Sequence, residues 1–268
     1  MRGLVPFLLI LVNWILVNAS LTFAEEAAEQ TLRIVSYNIR HGEGSDSKLD
    51  LERTAEVIKR LAPDIVGLQE VDDRVGRTGN VNQPDRLAQL TSMNAAFGSF
   101  MALQGGEYGL AILTKFPIKR SESIRLPRGN EPRVALAVEV QLPNGESLMV
   151  INVHFDWVDD DGYRFEQAKV VAEYLKTLKL PYVLLGDFND VRESRTLALF
   201  TDLAKEAKKP DADRFTFSAT KPQQEIDFIF MAPRDRWSVD EVRVIDEPVA
   251  SDHRPVLAVG RLAKQQGK

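Results

Sequence analysis

Apolar residues recur along the chain with two periods, and the two alternate. Leu32–Ile39, with Leu32, Ile34, Val35, Tyr37 and Ile39 as its apolar members, is read as a buried strand. Leu51, Ala55, Ile58 and Leu61 then fall on one helical face, with Asp50 as an N-cap and Pro63 as the stop. Asp64–Val71 predicts a second strand, Arg86–Met93 a helix and Gly109–Lys115 a short apolar strand. Val134, Leu136, Val138, Val140 and Leu142 alternate with other residues up to Pro143-Asn144-Gly145, and Ser147–His154 returns. Asn-Gly at the tip predicts a type I′ turn, with positive φ at both residues. Gly162–Lys179 predicts an amphipathic helix through Phe165, Ala168, Ala172 and Leu175. Strands are expected at Tyr182–Asp187, Ile226–Met231, Glu241–Ile245 and Pro255–Gly260. The softer stretches are Asp72–Pro84, Arg125–Pro132 and Lys205–Asp213. Single strands mixed with helices and hairpins argue for mixed sheets under helical cover rather than a parallel barrel.

The first residues fit none of these patterns. Arg2 precedes an apolar run, Leu4–Val17, followed by Ala19, Ser20 and Ala24. The run is shorter than the roughly 20 residues of a membrane span. A basic start, an apolar middle and small residues describe a secretory signal peptide over residues 1–24. Cleavage is expected after Ala19 or Ala24, leading to a periplasmic or secreted protein; an uncleaved membrane anchor is the alternative. Residues 25–30 read as a short polar segment, 31–262 as one domain and 263–268 as a polar tail.

Composition changes this picture little. Of 268 residues, 44% are hydrophobic, 27% are charged and none is Cys, which excludes a disordered chain and a disulfide scaffold. The net charge of −5 disfavours a globally basic nucleic-acid binder.

The chemistry gathers where strands stop. Ser36–Gly42, Leu68–Val71, Ile151–Asp156, Leu185–Asn189, Ile226–Phe230 and Ser251–Pro255 each join apolar strand to polar residues. Burying such groups is costly unless they pair or bind an ion. All three His of the chain, His41, His154 and His253, lie in or beside these segments.

SYNIRHG, LQEV, YGLAILTKFPI, INVHFD, GDFND, IDFIF and SDHRP, in that order, resemble the endonuclease/exonuclease/phosphatase superfamily over about residues 31–262. The resemblance implies an α/β fold, a four-layer sandwich of two packed mixed sheets flanked by helices. It also implies a metal-dependent phosphoesterase using Mg²⁺ or Mn²⁺. On that resemblance Asn38, Glu70 and Asp252 stand at the metal. Asp187 and Asn189 orient the attacking water, Asp227 and His253 form a catalytic pair, and His154 flanks the phosphate opposite. Arg40 stands where the repair-enzyme branch has Asp. Because Arg grips phosphate and ligates no metal, one tight metal site is expected. Arg133, Tyr108 and His41 are further candidates for the substrate phosphate.

The expected partner is a phosphoester, with the protein a monomer. An exported nuclease would need a basic surface, for which Lys115, Lys119, Arg120, Arg125 and Arg128 are the local candidates. A sphingomyelinase-like lipid phosphodiesterase would need an apolar element, and Phe155–Val158 is short for that. A non-catalytic binding module on the same fold would have lost some of these residues.

Overall fold

The computed structural model describes residues 29–265. The apolar run read as a signal peptide, the segment 25–28 and the last three residues of the tail lie outside them. The described residues form twelve strands: β1 (Gln30–Asn38), β2 (Ile65–Asp73), β3 (Asn94–Leu103), β4 (Gly106–Thr114), β5 (Ile118–Arg125), β6 (Val134–Gln141), β7 (Ser147–His154), β8 (Tyr182–Asp187), β9 (Lys205–Glu206), β10 (Asp227–Ala232), β11 (Trp237–Val244) and β12 (Val256–Leu262). Four α-helices accompany them: α1 (Leu51–Leu61), α2 (Gln83–Thr91), α3 (Gly162–Thr177) and α4 (Arg195–Thr201).

Two six-stranded mixed sheets result, in the orders β11-β12-β1-β2-β4-β3 and β5-β6-β7-β8-β10-β9. Three apolar cores separate four layers. Leu32, Ile34, Leu110, Val138, Val150, Val183 and Ile229 are among those filling the space between the sheets. Ala55, Ile58, Leu61 and Leu87 of α1 and α2 cover one outer face. Ala168, Val171, Leu175 and Phe200 of α3 and α4 cover the other. This is the expected four-layer α/β sandwich.

Each sheet holds one parallel pair at its centre, β1 with β2 and β7 with β8, joined through α1 and α3 respectively. The carboxyl ends of such parallel strands are where ligands bind in α/β sheets. Here both pairs end at the same edge of the sandwich: Asn38 of β1 reaches across to Asp187 of β8 at 3.1 Å. Beneath that edge a polar tie crosses the two sheets. Gln69 Nε2 donates to Asn152 Oδ1 at 2.7 Å, and Asn152 Nδ2 donates to the carbonyls of Leu68 and Ala111. Gln69 and Asn152, two of the polar residues at strand ends, thus hold the sheets in register rather than face solvent.

Several local expectations shift. α1 has the expected bounds, and Asp50 caps it by accepting from the Arg53 amide at 2.8 Å. α2 begins earlier than expected, because Asn82 caps it and Pro84 fits its first turn. The β6–β7 turn is not type I′. Gly145 has φ +84°, whereas Asn144 is not in the left-handed region, and Leu142 and Glu146 pair around a three-residue loop. Pro143 holds its own φ negative, and the positive-φ position falls to Gly145 alone.

Gly186 shows why the GDFN sequence opens on glycine. Its φ is +148°, and a Cβ there would lie 2.0 Å from the carbonyl oxygen of Val153. Gly186→Ala is expected to cost at least about 1–3 kcal/mol. For a chain of this size that is a fall of about 2–4 °C in Tm per kcal/mol, read by thermal melt.

Candidate active site

The register of one sheet sets the site out. His154 ends β7 beside Asp187 at the end of β8, and Asp227 at the start of β10 pairs with Asp187 on its other side. Three adjacent strands therefore carry His154, Asp187 and Asp227 in one row. His253 arrives from the segment before β12, where an isolated bridge ties its backbone to Phe217. Its Nδ1 lies 3.0 Å from Asp227 Oδ2. The Nε2 atoms of His253 and His154 each stand 3.6 Å from the same atom, Asp187 Oδ2. That distance exceeds a direct hydrogen bond and suits groups converging on a shared ligand.

The other sheet supplies the carboxylates of the rim. Asn38 Nδ2 donates to Glu70 Oε1 at 3.0 Å as well as to Asp187, and its Oδ1 accepts from the Arg40 amide at 3.1 Å. The amide of Asn38 is thus a bracket between two carboxylates. Glu70 sits in a β-bulge of β2, where the register against β4 shifts between Leu68 and Val71, and has φ +58°. A bulge re-aims the side chain it carries. Arg40, His41 and Asn189 also have positive φ, at 44°, 45° and 48°. Four candidate residues thus occupy a region that non-glycine residues seldom adopt, and such strain tends to gather at functional sites. Asn189 donates its own amide N–H to Asp187 Oδ1 at 2.9 Å and its side-chain Nδ2 to the Phe155 carbonyl at 3.0 Å.

These residues border a cleft of about 420 Å³, lined among others by Glu70, Tyr108, Arg133, His154, Asp187, Asn189, Asp252 and His253. Burial pushes Asp187 up to about 7, with the His253 charge pulling it down and Asp227 pushing it further up. Burial alone would lower His253, but Asp227 and Asp187 outweigh it and raise it to about 10. His154 is held well below the ordinary value by burial and by the positive charges of Arg133 and His253. At neutral pH the site therefore presents one charged imidazole, one neutral imidazole and a carboxyl poised to gain or lose a proton. Neighbouring groups driven to different protonation states are characteristic of acid–base sites.

Arg133 is almost wholly buried, with one nitrogen 3.0 Å from Glu131 and its guanidinium 4.8 Å from the Phe100 ring centre. Its Nε and Nη1 are buried and, among the described residues, have no hydrogen-bond partner. A buried guanidinium with free donors beside a cleft is suited to an anion. Tyr108 packs edge-on against Phe100 under the Arg77 guanidinium, and burial and Glu70 push its hydroxyl up. Arg40 flanks Asp252, with Nε 3.8 Å from Oδ2, and also pairs with Glu43 at 3.3 Å. His41 does not line the cleft. It borders a second cavity of about 180 Å³ with Leu49, Thr78 and Val81. The site residues inferred from sequence therefore converge on one cleft or its immediate border, apart from His41.

Two groups could be read as cation ligands. Asp187, Asp227 and His253 offer atoms within 4.8 Å of one another. However, the Nδ1–carboxylate distance there is a hydrogen-bond length, and a protonated imidazole has no lone pair for a metal. Within that trio Asp227 and His253 are a hydrogen-bonded pair, and Asp187 faces the other side of the ring at 3.6 Å. Glu70 and Asp252 are a better match, because both line the cleft as oxygen donors of the kind Mg²⁺ or Mn²⁺ prefers.

Further charged residues support the site from beneath. Asp156 is fully buried and accepts from the amides of Asn130 at 2.7 Å and Glu131 at 3.3 Å, fixing the segment that leads to Arg133. Arg164 pairs with Asp190 at 3.1 Å as a structural bridge. Lys209 lies in the stretch Lys205–Asp213 read as soft, yet it is 1% exposed. Its Nζ donates to the Asp227 carbonyl at 2.7 Å and pairs with Glu225 at 3.1 Å. The charge of Lys209 hid its burial, since lysine is almost never fully buried unless paired.

The chain belongs to the Endonuclease/Exonuclease/phosphatase family, whose sequence profile matches residues 35–253. It is 31% identical over 165 residues to a UPF0294 protein of Vibrio campbellii, a match covering 59% of this chain and 56% of that one. The chain thus matches little more than half the length of that curated relative. Among solved structures it is similar to an endonuclease/exonuclease/phosphatase from Beutenbergia cavernae, at 23% identity and a TM-score of 0.75, covering 87% of this chain and 72% of that one. A mannosyl-6-phosphatase from Bacteroides thetaiotaomicron is 21% identical with a TM-score of 0.68, covering 85% and 98%. At these identities the structural likeness establishes the fold.

Proposed function

We propose that the chain is an exported, divalent-metal-dependent hydrolase that cleaves a phosphodiester or phosphomonoester bond by attack of water. The observation that carries this reading is the convergence of His154, His253 and Asn38 on Asp187 Oδ2, beside the rim carboxylates Glu70 and Asp252. Phosphoryl transfer asks of a protein mainly positioning and charge stabilisation. Asp187, raised toward neutrality, takes a proton from the attacking water, and Asn189 holds that carboxylate in place. His253, charged through Asp227, neutralises a phosphoryl oxygen, while the Arg133 guanidinium in the cleft wall adds positive charge toward the phosphate. Glu70 and Asp252 would hold a Mg²⁺ or Mn²⁺ ion, which supplies Lewis-acid charge to the developing anion.

A polynucleotide substrate is less favoured. Lys115 and Arg120 are paired with Asp64 at 3.1 Å and Glu139 at 2.8 Å, and β5, which carries Arg120, is an edge strand away from the cleft. The run Leu4–Val17 supports export. The test is a substrate panel with Mg²⁺ and Mn²⁺, run on protein recovered from the periplasmic fraction and sequenced at its N-terminus. The panel holds p-nitrophenyl and bis-p-nitrophenyl phosphate, plasmid DNA, sphingomyelin and sugar phosphates. Turnover of a small phosphoester by a chain beginning near Ser20 or Glu25 is expected. An intact Met1 in the membrane pellet would replace export by anchoring, and inertness toward every ester would refute the enzymatic reading.

A further inference from the structure

Trp157 lines the cleft yet keeps 57% of its surface in solvent. The backbone around it is fastened on both sides. Phe155 is fully buried, and its carbonyl accepts from Asn189 Nδ2. The Asp156 amide donates to Gln167 Oε1 at 2.9 Å, its Oδ1 accepts from the Val158 amide at 3.3 Å, and the Val158 carbonyl accepts from Arg164. Only the indole is left free. A large aromatic side chain held outward on a pinned loop, at the mouth of a cleft containing catalytic groups, is suited to stacking against a ligand.

The surroundings narrow the ligand. Gln224, Asn189 and Glu131 line the same cleft, and amides and a carboxylate are partners for hydroxyl groups. Arg133 and His253, the cations that line it, are both committed to the phosphate, which leaves none for a second anionic group on the substrate. A lipid tail would need a continuous apolar wall, whereas Trp157, Phe217 and Ile226 are interrupted by these polar residues. One apolar face with hydroxyls around its rim describes a carbohydrate ring. Resting on the phosphoesterase reading, we propose that the group esterified to the phosphate carries an uncharged, hydroxylated carbohydrate ring that stacks on Trp157.

The test compares ester-matched pairs: glucose 6-phosphate with glycerol 3-phosphate, and glycerophosphoinositol with glycerophosphoglycerol. Trp157→Ala is expected to raise KM for the ring-bearing member of the cleaved pair about tenfold, with kcat little changed, and to leave the ring-free member within about twofold. Trp157→Phe restores most of the loss, and Tyr163→Ala, an exposed aromatic outside the cleft, has no effect. Binding is read separately in EDTA, so that turnover plays no part. Of the three Trp residues Trp237 is buried, and the difference between wild type and Trp157→Phe isolates the exposed indole. Glucose 6-phosphate should shield that difference signal from acrylamide quenching, and glycerol 3-phosphate should not. Equal losses on both members of a pair, no shielding, or a stronger Trp157 dependence for adenosine monophosphate than for glucose 6-phosphate would each overturn the proposal. Shielding without turnover of any ester would instead refute the phosphoesterase reading and leave the ring subsite standing.

Discussion

His253→Ala is expected to lower kcat by at least about 10²-fold, the usual scale for a group that stabilises developing charge, with a much smaller change in KM. The imidazole is charged because Asp227 lies 3.0 Å from Nδ1 and Asp187 faces Nε2. Removing it takes away the positive charge nearest Asp187 and leaves two buried carboxylates side by side, paired in register on β8 and β10. Asp227→Asn keeps the shape but not the charge, and should cost a similar factor. The double substitution should cost little more than His253→Ala alone, because Asp227 acts through the histidine. A loss in the double variant equal to the product of the single losses would mean that the two residues act independently. Thermal melts run alongside separate this from misfolding.

Glu70→Gln is expected to raise the concentration of Mg²⁺ or Mn²⁺ needed for half-maximal activity by about 10²-fold or more. Loss of mere support around a metal ligand already costs about 10–100-fold. The fold should survive. Glu70 is only half-buried at the end of the apolar run in β2, and a glutamine oxygen still accepts from Asn38 Nδ2. Asp187→Asn provides the contrast. It should reduce kcat at saturating metal without shifting the metal requirement, since Asp187 is the group proposed to take the proton from water and is not one of the rim carboxylates.

Much of the architecture was legible because burial wrote it into the chain. β7 and β8 are mostly apolar, and α1 carries its cap, its face and its stop in local sequence. β3 was missed because Ala96 and Gly98, two of its inward positions, are too small to stand out as a hydrophobic period. β5 was missed because it is an exposed edge strand. The candidate residues were legible because polar groups interrupt apolar strands at their ends. What sequence could not show was geometry. The bulge at Glu70 and the positive φ of Asn189 are backbone features, and the convergence of two histidines on one oxygen depends on the segment before β12 reaching the end of β8. His41 shows the limit of proximity in sequence, since it follows Arg40 yet borders another cavity. Lys209 was opaque because a charged residue in a loop looks solvated until its partners, here Glu225 and the Asp227 carbonyl, arrive from elsewhere in the chain.

The account rests on a phosphoester being cleaved at the Glu70 rim with a divalent cation. The most direct measurement is turnover of p-nitrophenyl and bis-p-nitrophenyl phosphate by one preparation, first stripped with EDTA and then titrated with Mg²⁺ or Mn²⁺, with Glu70→Gln carried in parallel. The expected result is no turnover after stripping, saturable recovery in the wild type, and recovery in Glu70→Gln only at far higher metal concentration. Full activity in the stripped wild-type protein, or superimposable metal titrations for the two proteins, would contradict it.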